Sequence, residues 1–203
     1  MKLLVATRSA GKEREVRQLL EGAGVEVVLP QDVGLAPTVD ERRLELGDTF
    51  EQNARAKAEY FVKRSGLPTV ADDSGLEVFS LGGEPGVRSR RWANAEGTEL
   101  QIDAANNAYL LRRLGGAPEA KRRARYRCVL VYLPKVGAIP QVYEGACTGR
   151  ILEAPQGSAG FGYDPLFHSD ELEKSFGMAT PEEKQRAGHR GKAFTAFIAG
   201  VFP

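Results

Sequence analysis

The chain has 203 residues, 42% of them apolar and 27% charged, and a net charge of +1. Those values fit one large globular domain and exclude a global basic or acidic footprint for nucleic acid or a membrane surface. No apolar run approaches the ~20 residues of a membrane span, and Met1 to Arg8 lack the apolar length of a secretion signal.

Lys2 to Ala6 reads as a short buried strand, Thr7 to Gly11 as a polar loop, and Lys12 to Leu20 as a helix with Val16, Leu19 and Leu20 on its apolar side. Gly22 and Gly24 end that helix, and Val25 to Leu29 forms a second strand, closing a βαβ-like unit. Residues 30 to 48 are polar and irregular. Thr49-Phe50-Glu51-Gln52 is a capping box, in which a threonine hydroxyl and a glutamine side chain satisfy each other's backbone N–H groups at a helix start. The helix it opens carries Phe50, Ala54, Ala58, Phe61 and Val62 as an apolar stripe and ends at Ser65-Gly66.

A short apolar run, Pro68 to Ala71, leads into Asp72-Asp73-Ser74-Gly75. This reads as a strand end followed by a turn, with Leu76 to Leu81 as the next strand and Gly82 to Gly86 as a rigid turn. A second capping box, Thr98 to Gln101, opens a helix to Leu114. Arg123 to Leu133 alternates as a strand, with Ala124, Tyr126, Cys128, Leu130 and Tyr132 on one face and Arg123, Arg125 and Arg127 on the other. Gln141 to Ile151 is a weaker strand, and Gly157 to Gly162 a glycine-rich loop. Thr180-Pro181-Glu182-Glu183 starts a further helix with proline at its first position, and Ala193 to Val201 is a terminal helix. Strands and helices alternate along most of the chain, which argues for α/β. Cys128 and Cys147 lie in alternating stretches without metal-ligand spacing, so reduced thiols in a cytoplasmic protein are expected.

Several blocks could carry chemistry. Adjacent carboxylates repel, so Asp72 and Asp73 call for a metal ion, a basic partner or a shifted pKa; in isolation the pair reads as a solvated Asx turn. Thr7, Arg8, Ser9, Ala10, Gly11 and Lys12 join a strand to a helix N-terminus, where N–H groups and an ammonium suit an anion. The glycine spacing is not that of a P-loop, and taken alone the pattern reads as an exposed loop lysine. Asn53 and Lys57 share a helix face, and Glu45 is one of four nearby carboxylates, with Asp40, Glu41 and Asp48, that could join a metal. Phe161, Gly162, Tyr163 and Asp164 place an aromatic between glycines, open either to a planar ligand or to the core. Lys184, His189 and Arg190 gather donors near the end, the last two in a flexible Gly-flanked turn. Arg88, Arg90 and Arg91 beside Trp92, and Arg123, Arg125 and Arg127, could each bind phosphate or single-stranded nucleic acid, but in a near-neutral chain they read as solvated strand faces or subunit contacts.

In order and wording, these blocks resemble the inosine triphosphate pyrophosphatase family, the non-canonical purine nucleoside triphosphate pyrophosphatases. The resemblance runs from Thr7–Lys12 through Thr49–Ala58, Ala71-Asp72-Asp73-Ser74-Gly75-Leu76, Pro85–Ser89 and Phe161-Gly162-Tyr163-Asp164-Pro165 to Glu182–Lys184 and His189-Arg190-Gly191. It implies an elongated two-lobed α/β fold, a central mixed β-sheet flanked by helices with a cleft between the lobes, and a single pyrophosphatase domain over residues 1–203. It implies Mg²⁺-dependent hydrolysis of ITP, dITP and XTP to the monophosphate and pyrophosphate by a cytoplasmic homodimer, with neither nucleic acid nor membrane as partner. Carried over by position, Asp73 is the proton acceptor, and Glu45 and Asp73 bind the metal. Thr7 to Lys12 and Lys57 hold phosphates, and Asn53 is a further substrate contact. Ser74, Phe161 to Asp164, Lys184, His189 and Arg190 hold the nucleotide. Two places depart from the family: Arg8 and Ser9 stand where it has Gly and Asn, and Ala187-Gly188 stand where it has Ile-Ser. A Maf-type pyrophosphatase acting on modified pyrimidine or 7-methylguanosine triphosphates fits the order of the blocks less well. A nucleotide-binding module without catalysis is the reading from another class.

Overall fold

The computed structural model describes residues 1–202. Seven strands form one mixed sheet in the order β2-β1-β3-β4-β5-β6-β7: β1 (Lys2–Val5), β2 (Glu26–Val28), β3 (Thr69–Val78), β4 (Arg123–Leu133), β5 (Gln141–Ile151), β6 (Phe167–Ser169) and β7 (Lys174–Ser175). β1 runs parallel to β2 and β3, while β6 runs antiparallel to β5 and β7. The helices are α1 (Ala10–Leu19), α2 (Phe50–Ser65), α3 (Glu99–Arg113), α4 (Pro181–Ala187) and α5 (His189–Val201). No helix among the described residues is long and apolar enough to cross a membrane.

All three capping boxes form, at Thr49, Thr98 and Thr180. α1 begins earlier than its apolar spacing suggests because Ser9 caps it, accepting from the Lys12 N–H. The segment 30–48 contains two short 3-10 turns, Pro30–Val33 and Val39–Arg43.

Contacts divide the chain into two compact units. The first comprises Met1–Asp73, Cys128–Gly145 and Lys192 onward; the second comprises Ser74–Arg127 and Ala146–Gly191. In the first unit the strands are covered on both faces. Leu3, Val5, Val70, Leu130 and Tyr132 pack with Val16 of α1 and with Phe194 and Phe197 of α5. Their alternating neighbours Leu4, Ala6, Ala71, Val131 and Leu133 pack with Ala54, Ala58 and Phe61 of α2. Burial on both faces explains why β1 reads as an unbroken apolar run. It also ends the one-sided alternation of β4 at Cys128, beyond which every residue of the strand is buried. In the second unit Leu76, Val78, Ala124, Tyr126, Cys147 and Ile151 pack with Leu110 of α3, with Leu114 just past its end, and with Phe167 and Phe176.

Three sequence expectations are corrected. β3 does not end at the carboxylate pair; it runs unbroken through Asp72, Asp73, Ser74 and Gly75 to Val78, and residues 79–81 are a 3-10 turn rather than a strand. Ladder pairing and buried counter-charges override the turn preference of Asp-Ser-Gly. His189 and Arg190 are not in a flexible turn but open α5, where both are buried. β6 and β7 have no counterpart among the expected elements. The arginine face of β4 is ion-paired: Arg123 forks onto Asp170 at 2.8 and 2.7 Å, and Arg125 binds Glu77.

Candidate functional site

The first unit gathers alternating acids and lysines around the end of its share of β3. Successive strand residues point to opposite faces, and the two carboxylates take different partners. Asp72 Oδ2 lies 2.9 Å from Lys12 Nζ, on the first turn of α1. Asp73 Oδ2 accepts from Asn53 Nδ2 at 2.8 Å, and Asp73 Oδ1 lies 3.3 Å from Lys57 Nζ. The same ammonium reaches Glu45 Oε1 at 2.9 Å. Both carboxylates and Lys57 are buried. Basic partners are therefore what offsets the repulsion between adjacent acids.

Burial works against the charge of Lys57, but the carboxylates of Asp73, Glu45 and Asp72 outweigh it and hold its pKa above the ordinary lysine value. Lys57 is an ammonium throughout the physiological range. Asn53 is oriented on both sides: its Oδ1 accepts from the Gly47 N–H at 2.8 Å while its Nδ2 serves Asp73. It thereby ties the loop carrying Glu45 to the strand carrying Asp73. Gly47 allows this approach, since a Cβ there would come within 2.8 Å of both Asn53 Oδ1 and Gln52.

The residues before α1 divide their work. Thr7 Oγ1 accepts from the Ser9 N–H at 3.2 Å and Ser9 caps the helix, leaving a helix N-terminus beside Lys12. Arg8 turns away from that end. It forks onto Glu41 at 3.0 and 2.9 Å, donates to the Leu35 carbonyl at 2.8 Å, and lies over the Phe61 ring at 5.6 Å. Its role in the structure is to fasten the 35–41 segment.

Which residues could hold a metal follows from the donor set. No group of three or more His, Cys, Asp or Glu forms a cage among the described residues. Glu45 and Asp73, bridged by one ammonium, could offer two hard oxygen ligands. That matches Mg²⁺, which takes one or two carboxylates and completes its shell with water and substrate phosphates.

The second unit builds a different cluster. Phe161 is half-buried, with Lys184 Nζ 4.6 Å and the Arg190 guanidinium 5.8 Å from its ring centre. Asp164, itself buried, pairs with Lys184 at 2.5 Å and accepts from the Phe161 N–H at 2.8 Å. Gly160 permits the arrangement: it has φ +77°, and a Cβ there would fall 2.0 Å from Asp164 Oδ2. Gly160→Ala is expected to lower stability by about 1–3 kcal/mol, read as a drop in the thermal midpoint; an unchanged midpoint would contradict the tight fit.

Arg190 donates to Ser74 Oγ at 2.7 Å. His189 stacks on Tyr126, ring centres 4.6 Å apart and planes within 8°. Burial pushes the Tyr126 phenol far above its usual pKa, so it remains neutral. The Tyr163 hydroxyl donates to the Ser89 carbonyl at 2.8 Å, pinning the far side of the loop. Tyr163 is thus a buried anchor, while Phe161 is the aromatic left partly open.

Sequence reading missed two residues that hold this loop. On α3, Asp103 Oδ2 accepts from the Gly162 N–H at 2.7 Å, and Asn107 Nδ2 donates to the Gly162 carbonyl at 3.0 Å. Their i, i+4 spacing on a capped helix was the available signal.

The Ham1 family model matches residues 3–200 of the chain. A dITP/XTP pyrophosphatase of Lactobacillus acidophilus is 45% identical over 193 residues, covering 94% of this chain and 92% of its own length. One from Geobacillus kaustophilus is 46% identical, covering 95% and 90%. The structure of a HAM1 protein from Coxiella burnetii superposes with a TM-score of 0.85 at 30% identity, covering 99% of this chain and 98% of that one.

Proposed function

The chain belongs to the Ham1 family, and from that premise we propose that it hydrolyses non-canonical purine nucleoside triphosphates to the monophosphate and pyrophosphate. ITP, dITP and XTP are the substrates, and removing them from the nucleotide pool is the role. The observation that carries this reading is the Asp73 cluster. A buried carboxylate is oriented by Asn53 and Lys57, with Glu45 on the same ammonium and Lys12 beside Asp72.

In this assignment Glu45 and Asp73 hold Mg²⁺, which supplies charge neutralisation on the phosphates when bound. Lys12, Lys57 and the N–H groups opening α1 bind phosphate oxygens. Asp73 positions a water and accepts its proton as the water oxygen attacks the α-phosphorus; the bond to the bridging oxygen breaks and pyrophosphate leaves. Phe161 stacks on the base, while Lys184 and Arg190 face acceptor atoms on its edge. Hypoxanthine and xanthine present O6 and an N1 proton; adenine reverses that pattern, and a donor facing a donor costs ~1–3 kcal/mol. The working form is a cytoplasmic homodimer of this one domain, with no nucleic acid or membrane as partner.

Pyrophosphate release with ITP, XTP, GTP and ATP tests the reading. ITP and XTP are expected to exceed ATP by roughly 10- to 100-fold in kcat/KM, and EDTA to abolish release. Equal rates for all four, or turnover insensitive to EDTA, would overturn it. Nucleotide binding without pyrophosphate release would make the protein a binding module instead.

A further inference from the structure

Phe161 has both of its flanking peptide groups held by carboxylates. Its own N–H donates to Asp164 at 2.8 Å, and the next N–H, of Gly162, donates to Asp103 at 2.7 Å. Gly162 is held again at its carbonyl, which accepts from Asn107 at 3.0 Å. Gly162 adopts φ +63°, the left-handed region, so the chain reverses there and needs outside partners to hold its peptide groups. Asp103 and Asn107 lie one turn apart on α3, a 15-residue helix capped at Thr98 and packed through Leu110 into the core. With both peptide planes fixed, the Phe161 ring keeps only its side-chain rotations.

We propose that Asp103 and Asn107 are positioning residues for nucleotide binding: a two-point clamp on Gly162 through which α3 sets the orientation of the Phe161 ring. The proposal rests on the assignment of Phe161 to the nucleobase. Neither residue touches the substrate. Both act through the loop backbone, so their removal affects binding rather than the chemical step. A contact serving stability alone would, when removed, lower the thermal midpoint and the fraction of active enzyme and leave KM unmoved.

The experiment is a set of steady-state measurements with inosine triphosphate on the parent, Asp103→Ala, Asp103→Asn, Asn107→Ala, Phe161→Ala and the double variant Asp103→Ala/Phe161→Ala, with thermal midpoints for each. Asp103→Ala is expected to raise KM by about 10-fold, within the range of losing an aromatic stack, with kcat held within about twofold. Asp103→Asn keeps an oxygen acceptor for the Gly162 N–H and is expected to restore most of that loss. Asn107→Ala should raise KM in the same direction. In the Phe161→Ala background, Asp103→Ala should add little, because its effect passes through the ring. An unchanged KM in folded Asp103→Ala, or full additivity with Phe161→Ala, overturns the clamp. A parent that turns over no purine triphosphate overturns the pyrophosphatase reading instead, and is separable from both.

Discussion

Asp73→Asn is expected to lower kcat by at least about 100-fold, the scale of losing a positioned general base, while the protein remains folded. Asparagine fills nearly the same volume and still offers an oxygen to the Asn53 amide, which now reaches Asp73 Oδ2 at 2.8 Å. Its second group becomes a donor facing the Lys57 ammonium, where Asp73 Oδ1 now lies 3.3 Å away. Lys57 retains Glu45 at 2.9 Å, so the lysine keeps one counter-charge and the local fold keeps its tie. What is lost is the anionic oxygen that, in the proposed function, would accept a proton from water and serve as one of two ligands for a divalent cation. Pyrophosphate release under saturating inosine triphosphate and Mg²⁺ measures the effect, and circular dichroism checks the fold. Turnover near that of the parent would remove Asp73 from the chemical step.

The helix starts were legible because a capping box is local: Thr49, Thr98 and Thr180 each need only a partner three residues on. β5 and the first half of β4 were legible because half-buried strands alternate, and the second half of β4 because it is an unbroken apolar run that ends at a loop residue, Pro134. β3 was cut at the wrong place, since Asp-Asp-Ser-Gly carries turn chemistry and the ammonium groups that let it remain a strand come from α1 and α2. β6 and β7, with three and two residues, are too short to show a period. Glycines 188 and 191 around His189-Arg190 suggested a loop. Instead Gly188 ends α4 and α5 starts at once, burying both side chains. Of the site, the identity of its acids and lysines was legible, but their pairing was not. Arg8 read as a phosphate-loop residue and proves to be engaged by Glu41 and the Leu35 carbonyl. Asn53 reads as a substrate contact, and in the structure it also orients Asp73 and the loop of Glu45.

Lys57→Met is expected to remove both activity and a measurable part of stability. Methionine retains most of the buried stem but not the ammonium that joins Glu45 to Asp73. Asp73 would then be a buried carboxylate with only the Asn53 amide facing it. Breaking a buried pair by deleting one partner costs about 3 kcal/mol, with the half-exposed Glu45 contributing little of that. The pH dependence separates this electrostatic cost from lost packing. Carboxylates raise the Lys57 pKa in the folded protein, while in the unfolded chain a lysine titrates near its free value of about 10.4. Below that value both states are protonated and the full stabilisation is present. Above it the unfolded chain loses its proton first, the folded state binds more protons, and stability falls as pH rises toward the folded pKa. The parent and Lys57→Met should therefore differ by a constant urea midpoint from neutral pH to about pH 10, and the gap should close above that. Parallel curves through the alkaline range would mean that the ammonium contributes no net stabilisation and that the variant's loss is one of shape. The ammonium that pairs with Glu45 and Asp73 is the group to which the proposed function assigns phosphate oxygens. A loss of turnover larger than the loss of folded protein would place Lys57 in binding or catalysis, beyond its structural pairing.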